Sequence, residues 1–79
     1  MKIKLFATLK EIAGSGWIEL DVQGQMTVAE LVSLIGTHFP ALRDGLLVSV
    51  VSVNRDFADM NTVVSAADEV AFFPPVSGG

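Results

Sequence analysis

Residues 25–40, QMTVAELVSLIGTHFP, carry the clearest helical periodicity in the chain. Thr27 followed three residues later by Glu30 forms a capping box, and Met26 and Leu31 stand at the positions of a hydrophobic staple. Leu31, Leu34, Ile35, His38 and Phe39 recur near one stripe at helical spacing. Pro40 marks the stop. Gly36 weakens the helix slightly and is expected where it packs closely on a neighbour. One amphipathic helix cannot bury its stripe alone. The rest of the chain must therefore supply a sheet for it to lie on.

Period-two alternation supplies that sheet. In KIKLFA (2–7), Ile3 and Leu5 share one face while Lys2, Lys4 and Phe6 share the other. TLKEIAGSG (8–16) reads as a short helical turn or wide loop closed by glycines. In WIELDV (17–22), Ile18, Leu20 and Val22 turn inward, and Trp17, Glu19 and Asp21 outward, so the first two strands form a hairpin with a long connection. ALRDG (41–45) reads as a loop with an Asp-Gly turn. LLVSVVSV (46–53) reads as a strand, NRD (54–56) as a turn and FADM (57–60) as a short edge strand. NTVVSAADE (61–69) is a connection, and VAFF (70–73) is the last strand. The expected fold is α+β: one main helix packed across a mixed sheet of four to five strands. This element order matches the ubiquitin-like β-grasp, in which the first and last strands lie parallel at the centre. Residues 1–73 would form the domain and residues 74–79 an extended tail.

Composition removes several functions. The 79 residues suit a single small domain, and 51% of them are hydrophobic, which argues against disorder. The net charge is −4 with five scattered basic residues, a poor match to nucleic-acid phosphates. No apolar run approaches the length that spans a bilayer. MKIKLF reads as a strand rather than a signal peptide, so a cytoplasmic protein is expected. Without cysteine there is no disulfide, thiolate nucleophile or side-chain persulfide. With His38 as the one histidine, no ligand cluster for a metal is expected. His38 is read as a helix-end packing or capping residue, and Trp17 as a partly exposed hairpin residue. Glu19, Asp21, Asp68 and Glu69 are solvated carboxylates without a pocket.

The ending PPVSGG is the remaining chemical feature. Two successive glycines arise by chance roughly 0.5% of the time. If the reactive group is the Gly79 carboxylate, the neighbouring residues make sense. A carboxylate must be activated, for example as an acyl-adenylate, and the activating enzyme must close around it. Gly78 and Gly79 lack a Cβ and allow a narrow channel and close backbone approach to phosphates. Pro74 and Pro75 keep the preceding segment extended. With Val76 and Ser77, the six residues reach roughly 20 Å from the domain.

Together, KIKLFATLKEIAG, VSVNRDF and ADEVAFFPPVSGG resemble the small, sulfur-carrier subunit of molybdopterin synthase (the MoaD family) over essentially the whole chain. The Gly-Gly end is shared with ubiquitin, the thiamine-pathway sulfur carrier and ubiquitin-related modifiers. DEVAFFPPVSGG is much more specific to the molybdopterin branch. Ala67 stands where that family commonly has glycine before Asp68. The resemblance implies that a ubiquitin-activating-type adenylyltransferase uses ATP to adenylate Gly79. A sulfur donor protein then converts it to a thiocarboxylate. The carrier would dock on the large subunit of molybdopterin synthase, in an assembly of two large and two small subunits. There it would give sulfur to cyclic pyranopterin monophosphate to build the molybdopterin dithiolene. Catalytic side chains would sit on the large subunit, and this chain would bind no cofactor or metal of its own.

Strand alternation also suggests a docking surface. Phe6 and Phe73 would meet on the outer face of neighbouring strands near the tail, with Phe57 extending the patch and Lys10 on its rim. An exposed apolar patch on a small domain suggests an interface; the alternative is that some of these rings are core. Three functions remain at this level: a sulfur carrier, of the molybdopterin or thiamine type; a ubiquitin-like modifier joined to target lysines; and an interaction domain whose terminus is incidental.

Overall fold

The computed structural model describes residues 1–75. Its elements in chain order are β1 (Lys2–Leu5), α1 (Ala7–Ala13), β2 (Trp17–Glu19), β3 (Gln25–Thr27), α2 (Val28–His38), a 3₁₀ turn (Pro40–Leu42), α3 (Arg43–Leu47), β4 (Val50–Val53), β5 (Asp56–Ala58), β6 (Val63–Ser65) and β7 (Val70–Phe73). Five strands form one mixed sheet in the order β2-β1-β7-β4-β5. β7 lies at its centre, parallel to β1 and antiparallel to β4. β1 pairs antiparallel with β2, and α1 fills the connection between them.

The inner face of this sheet is the core. Ile3, Leu5, Ile18, Val51, Val70 and Phe72 face the helix and are buried. From α2 come Val28, Leu31, Val32 and Ile35, spaced i, i+3, i+4 and i+7 on one face. The buried stripe is thus rotated from the expected one. Leu34 and Phe39 pack only partly on the core, and His38 is exposed in the last turn. The capping box is formed: the Glu30 amide donates to Thr27 Oγ1 at 3.2 Å, and the Thr27 amide to Glu30 Oε1 at 3.1 Å. Two further helix-start amides donate to backbone carbonyls. Val28 bonds Thr62 and Ala29 bonds Met60, which answers the unpaired donors of a helix N-terminus.

Sequence expectations give way to tertiary packing in two regions. ALRDG is not a loop, and the strand does not begin at Leu46. Leu42 and Leu46 stand one helical turn apart, and burying both closes the end of the core, so residues 40–47 coil instead of extending. Gly45 permits this: a Cβ there would lie 2.8 Å from Leu9 Cδ2 of α1. Gln25–Thr27 and Val63–Ser65, read as helix start and connection, pair as a separate two-stranded sheet with Met26 opposite Val64. Of the two readings of residues 8–16, the helical one holds: residues 8–13 belong to a two-turn helix anchored by buried Leu9 and closed at left-handed Gly14, φ +76°. The expected close packing at Gly36 involves Arg43, whose Cβ and Cγ lie 3.4 Å from a Cβ built at Gly36.

The β4–β5 turn is tied to the start of β7. Asn54 and Arg55 take φ of +53° and +70°, the left-handed pair of a tight hairpin. Asn54 Nδ2 donates to Asp68 at 3.0 Å, and its Oδ1 accepts from the Glu69 amide at 2.9 Å. Asp68 also accepts from the Ser65 amide at 2.8 Å. The Asn54 bond, then the Ser65 amide, hold the Asp68 carboxyl below its ordinary value. The hydrogen bond from Lys4, reinforced by its charge, does the same for Glu69.

Two predictions follow from this packing. Phe72→Ala removes a fully buried ring from the central strand and should cost about 3–5 kcal/mol in urea unfolding. A cost under 1 kcal/mol would mean that Phe72 is not central to the core. Both carboxyls have folded-state values below their unfolded ones. Their contribution is therefore present above the ordinary carboxylate range and lost as pH falls through the folded values. The urea midpoint should hold from pH 7 to about 5 and decline below about 4. Asn54→Ala should flatten part of that decline, and an unchanged slope would remove Asp68 from the account.

Candidate functional site

Among the described residues no helix covers the outer face of the sheet, and side chains there divide into a charged end and an apolar end. Strand alternation sends Lys2 and Lys4 of β1 outward, beside Trp17 and Glu19 of β2. Lys4 Nζ bonds Glu69 Oε1 at 2.7 Å. Lys2 Nζ lies 4.5 Å from the centre of the Trp17 ring, a cation–π contact. With Arg55 and residues 66–69, these lysines line a shallow hollow of about 350 Å³. Its cations face Asp68 and Glu69 within the same hollow, so it is a mixed-charge surface and not an anion site.

The apolar end lies where β1 and β7 finish. Phe73 closes β7, and its ring stacks on Phe6 with centroids 4.6 Å apart and planes within 10°. This is an offset-stacked aromatic pair. On the other side of Phe73, the antiparallel register sets Val50 of β4 directly opposite. Phe6, just past the end of β1, Phe73 of β7 and Val50 of β4 thus form a row, and all three are exposed. Phe57 is the most exposed large apolar residue on the same face, at 87%. It sits on edge strand β5 opposite Ser52. Lys10 is exposed on α1, and its aliphatic stem passes 3.7 Å from a Cβ built at Gly16. Leu47 and Val48, at the end of α3, are exposed as well.

Sequence reasoning missed Val50. The run LLVSVVSV, apolar at six of its eight positions, hides which residues face out, because both faces carry hydrophobic residues. The signal was the alternation of Val50 and Ser52 with Val51 and Val53, which the register to β7 resolves.

Pro74 and Pro75 follow Phe73 directly. Val76, Ser77, Gly78 and Gly79, the residues with the sequence-predicted chemistry, lie outside the described residues. The described residues therefore supply an apolar platform at the base of that segment. Among them, no three His, Asp or Glu side chains converge as a metal-holding group, and no helix is long and apolar enough to cross a membrane.

Comparison with known proteins gives a consistent picture. The model of the ThiS family matches residues 3–79. The chain is 44% identical over 88 aligned positions to small archaeal modifier protein 1 of Haloferax volcanii, covering 100% of both chains. The crystal structure of SAMP1 from Haloferax volcanii superposes with a TM-score of 0.86 at 37% identity, over 100% of this chain and 98% of that one. The molybdopterin synthase sulfur carrier subunit of Dictyostelium discoideum is 35% identical, over 99% of this chain and 94% of the relative. A complex of subunits 1 and 2 of molybdopterin-converting factor from Helicobacter pylori contains a matching chain. Its TM-score is 0.61 at 25% identity, over 99% of this chain and 96% of that one.

Because Phe57 is so exposed, Phe57→Ser should change unfolding free energy by no more than about 0.5 kcal/mol. A loss above 1 kcal/mol in urea titration would show that the ring packs on the fold and is not surface available to a partner.

Proposed function

Because the chain belongs to the ThiS family of sulfur carriers, with a ubiquitin-like β-grasp fold, we propose that it is the cytoplasmic sulfur-carrier subunit of molybdopterin synthase. The observation that carries this reading is the position of the ending. DEVAFFPPVSGG runs from central strand β7 into a proline-led segment, with an exposed apolar row at its base. A body that docks through that row can present the last residues to a partner's active site.

The chemistry proceeds at Gly79. Its carboxylate oxygen attacks the α-phosphorus of ATP on a ubiquitin-activating-type adenylyltransferase, and pyrophosphate leaves. Hydrosulfide supplied by a donor protein then attacks the acyl carbon, forming the C–S bond as the C–O bond to AMP breaks, and the thiocarboxylate results. On the large subunit, that sulfur passes to cyclic pyranopterin monophosphate. The Helicobacter pylori complex of the two converting-factor subunits supports a large-subunit partner. Phe6, Phe73, Val50 and Phe57 form the proposed contact, with Lys10 at its rim. Pro74 to Gly78 form the inserted segment.

A second reading has its own support. Similarity to the archaeal modifier spans the full length of both proteins. The same activated Gly79 acyl group could be passed to a lysine amine instead of to sulfur. Both readings need the terminal carboxylate, and they differ in the acceptor.

Intact mass spectrometry separates them. After incubation with an activating enzyme, ATP and a sulfur source, the chain should gain the mass difference of one oxygen replaced by sulfur. A chain lacking Gly79 should fold normally and show no gain. Lysine-linked conjugates without that gain would favour the modifier. Neither product with competent activating enzymes would overturn the use of the terminus altogether.

A further inference from the structure

The main sheet ends in an open edge at β5. Among the described residues β5 pairs with β4 alone, so its other side carries main-chain groups without a ladder partner. The hairpin decides which groups these are. Val53 and Asp56 close a two-residue turn, so this pair and the Val51–Ala58 pair exchange hydrogen bonds, and the Ser52–Phe57 pair between them does not. The Phe57 N–H and C=O therefore point away from β4, into the open edge, and the Phe57 ring beside them is almost fully exposed. Opposite charges flank it, two residues away on either side. Arg55 is exposed and takes part in no ion pair among the described residues. Asp59 is exposed, and its carboxylate is held by one oxygen: Oδ1 accepts from the Asn61 amide at 2.8 Å and from Thr62 Oγ1 at 3.3 Å. Its Oδ2 has no hydrogen-bond or ion-pair partner among the described residues.

We propose that this edge pairs with a second copy of itself: β5 of two chains joins antiparallel about a two-fold axis at Phe57, and the sheet runs on through both copies. The register follows by elimination. Antiparallel pairing uses outward-facing N–H and C=O groups, which at this edge belong to residues 55, 57 and 59. Those of Asp59 are taken: its amide donates to Thr62 Oγ1 at 3.1 Å, and its carbonyl accepts from the Thr62 amide at 3.2 Å. A register with Phe57 against Arg55 sets the two Asp56 side chains directly opposite each other, a destabilising like-charge pair. With Phe57 against Phe57, the two residues exchange both hydrogen bonds, and their rings stand side by side on the outer face. Asp56 then faces Ala58 of the second copy. Arg55 of each copy falls opposite Asp59 of the other, so the symmetry brings the unpaired guanidinium to the unpaired Oδ2 twice over. Two three-residue strands make a small interface, so the association is weak and reversible. Phe57 also belongs to the contact proposed for a large subunit. A self-paired copy would have to separate before docking through that ring, but the self-pairing does not depend on that reading.

The test uses the full chain, free in solution. Sedimentation equilibrium from about 10 µM to about 1 mM should show the average mass rising from 8.4 kDa towards twice that value. Phe57→Pro removes the ring and the edge-facing N–H without breaking the β4 ladder, in a position where an edge strand accepts proline. It should lower the association constant by about tenfold or more. Arg55→Asp and Asp59→Arg should each lower it about fivefold, and the double reversal should restore it to within about twofold, because the charges meet again. In a mixture of isotope-labelled and unlabelled wild-type chains, a filtered NOE should join Asp56 Hα of one copy to Ala58 Hα of the other, the closest Hα pair of this register. That NOE and Arg55→Asp decide the matter should Asp59→Arg unfold the turn. A chain that stays monomeric up to about 1 mM overturns the proposal. Association that survives Phe57→Pro and is lost in Val50→Ser places the second copy on the apolar row and overturns it too. Charge reversals that weaken association without rescuing each other, in a wild-type chain lacking the Asp56–Ala58 NOE, overturn the register and the proposal with it.

Discussion

The parallel pairing of β1 with β7 is the constraint on which the rest depends. Ile3 opposes Val70 and Leu5 opposes Phe72, so residues from opposite ends of the chain share the middle of one sheet. Closing so long a loop is entropically costly and must be offset by burial. Ile3, Leu5, Val70 and Phe72 all face α2 and are buried, so the same register that joins the ends builds the core. That pairing also puts Phe6 beside Phe73 at the foot of the tail.

The two faces of the sheet carry separate tasks. The inner face holds the fold through aliphatic side chains and one ring, Phe72. Among the described residues no element covers the outer face, and its side chains pair among themselves: Lys4 with Glu69, Lys2 with Trp17, Phe6 with Phe73. These contacts limit rotamer freedom on a surface that a partner would use, which lowers the ordering cost of association. The described residues supply no catalytic pocket. Under the proposed function, a body of this kind contributes docking, and the chemistry belongs to the terminus and to the enzymes that receive it.

The sequence was legible where periodicity and local hydrogen bonding agree. The capping box at Thr27 and Glu30 and the alternation around Ile3 and Ile18 need only neighbours in the chain. It was least legible between residues 40 and 65. Leu46 to Val53 read as one strand because a short valine- and leucine-rich stretch does not distinguish a helical turn from a strand. Three-residue strands such as β3 and β6 are too short to show a period at all. The His38 position was misjudged for a related reason. Several registers of the stripe on α2 look apolar, and the sheet selects the one through Val28 and Val32.

By itself, the sequence determined the helix and its start, the inward sets of the main strands, and the absence of cysteine chemistry. Each follows from residue type or from contacts within a few residues. Only the tertiary structure decided that residues 43–47 coil, that β3 finds β6, that Val50 stands beside Phe73, and that the Phe6 ring lies on Phe73. Those outcomes depend on pairings between distant segments and on which face the core leaves uncovered, and no local pattern encodes either.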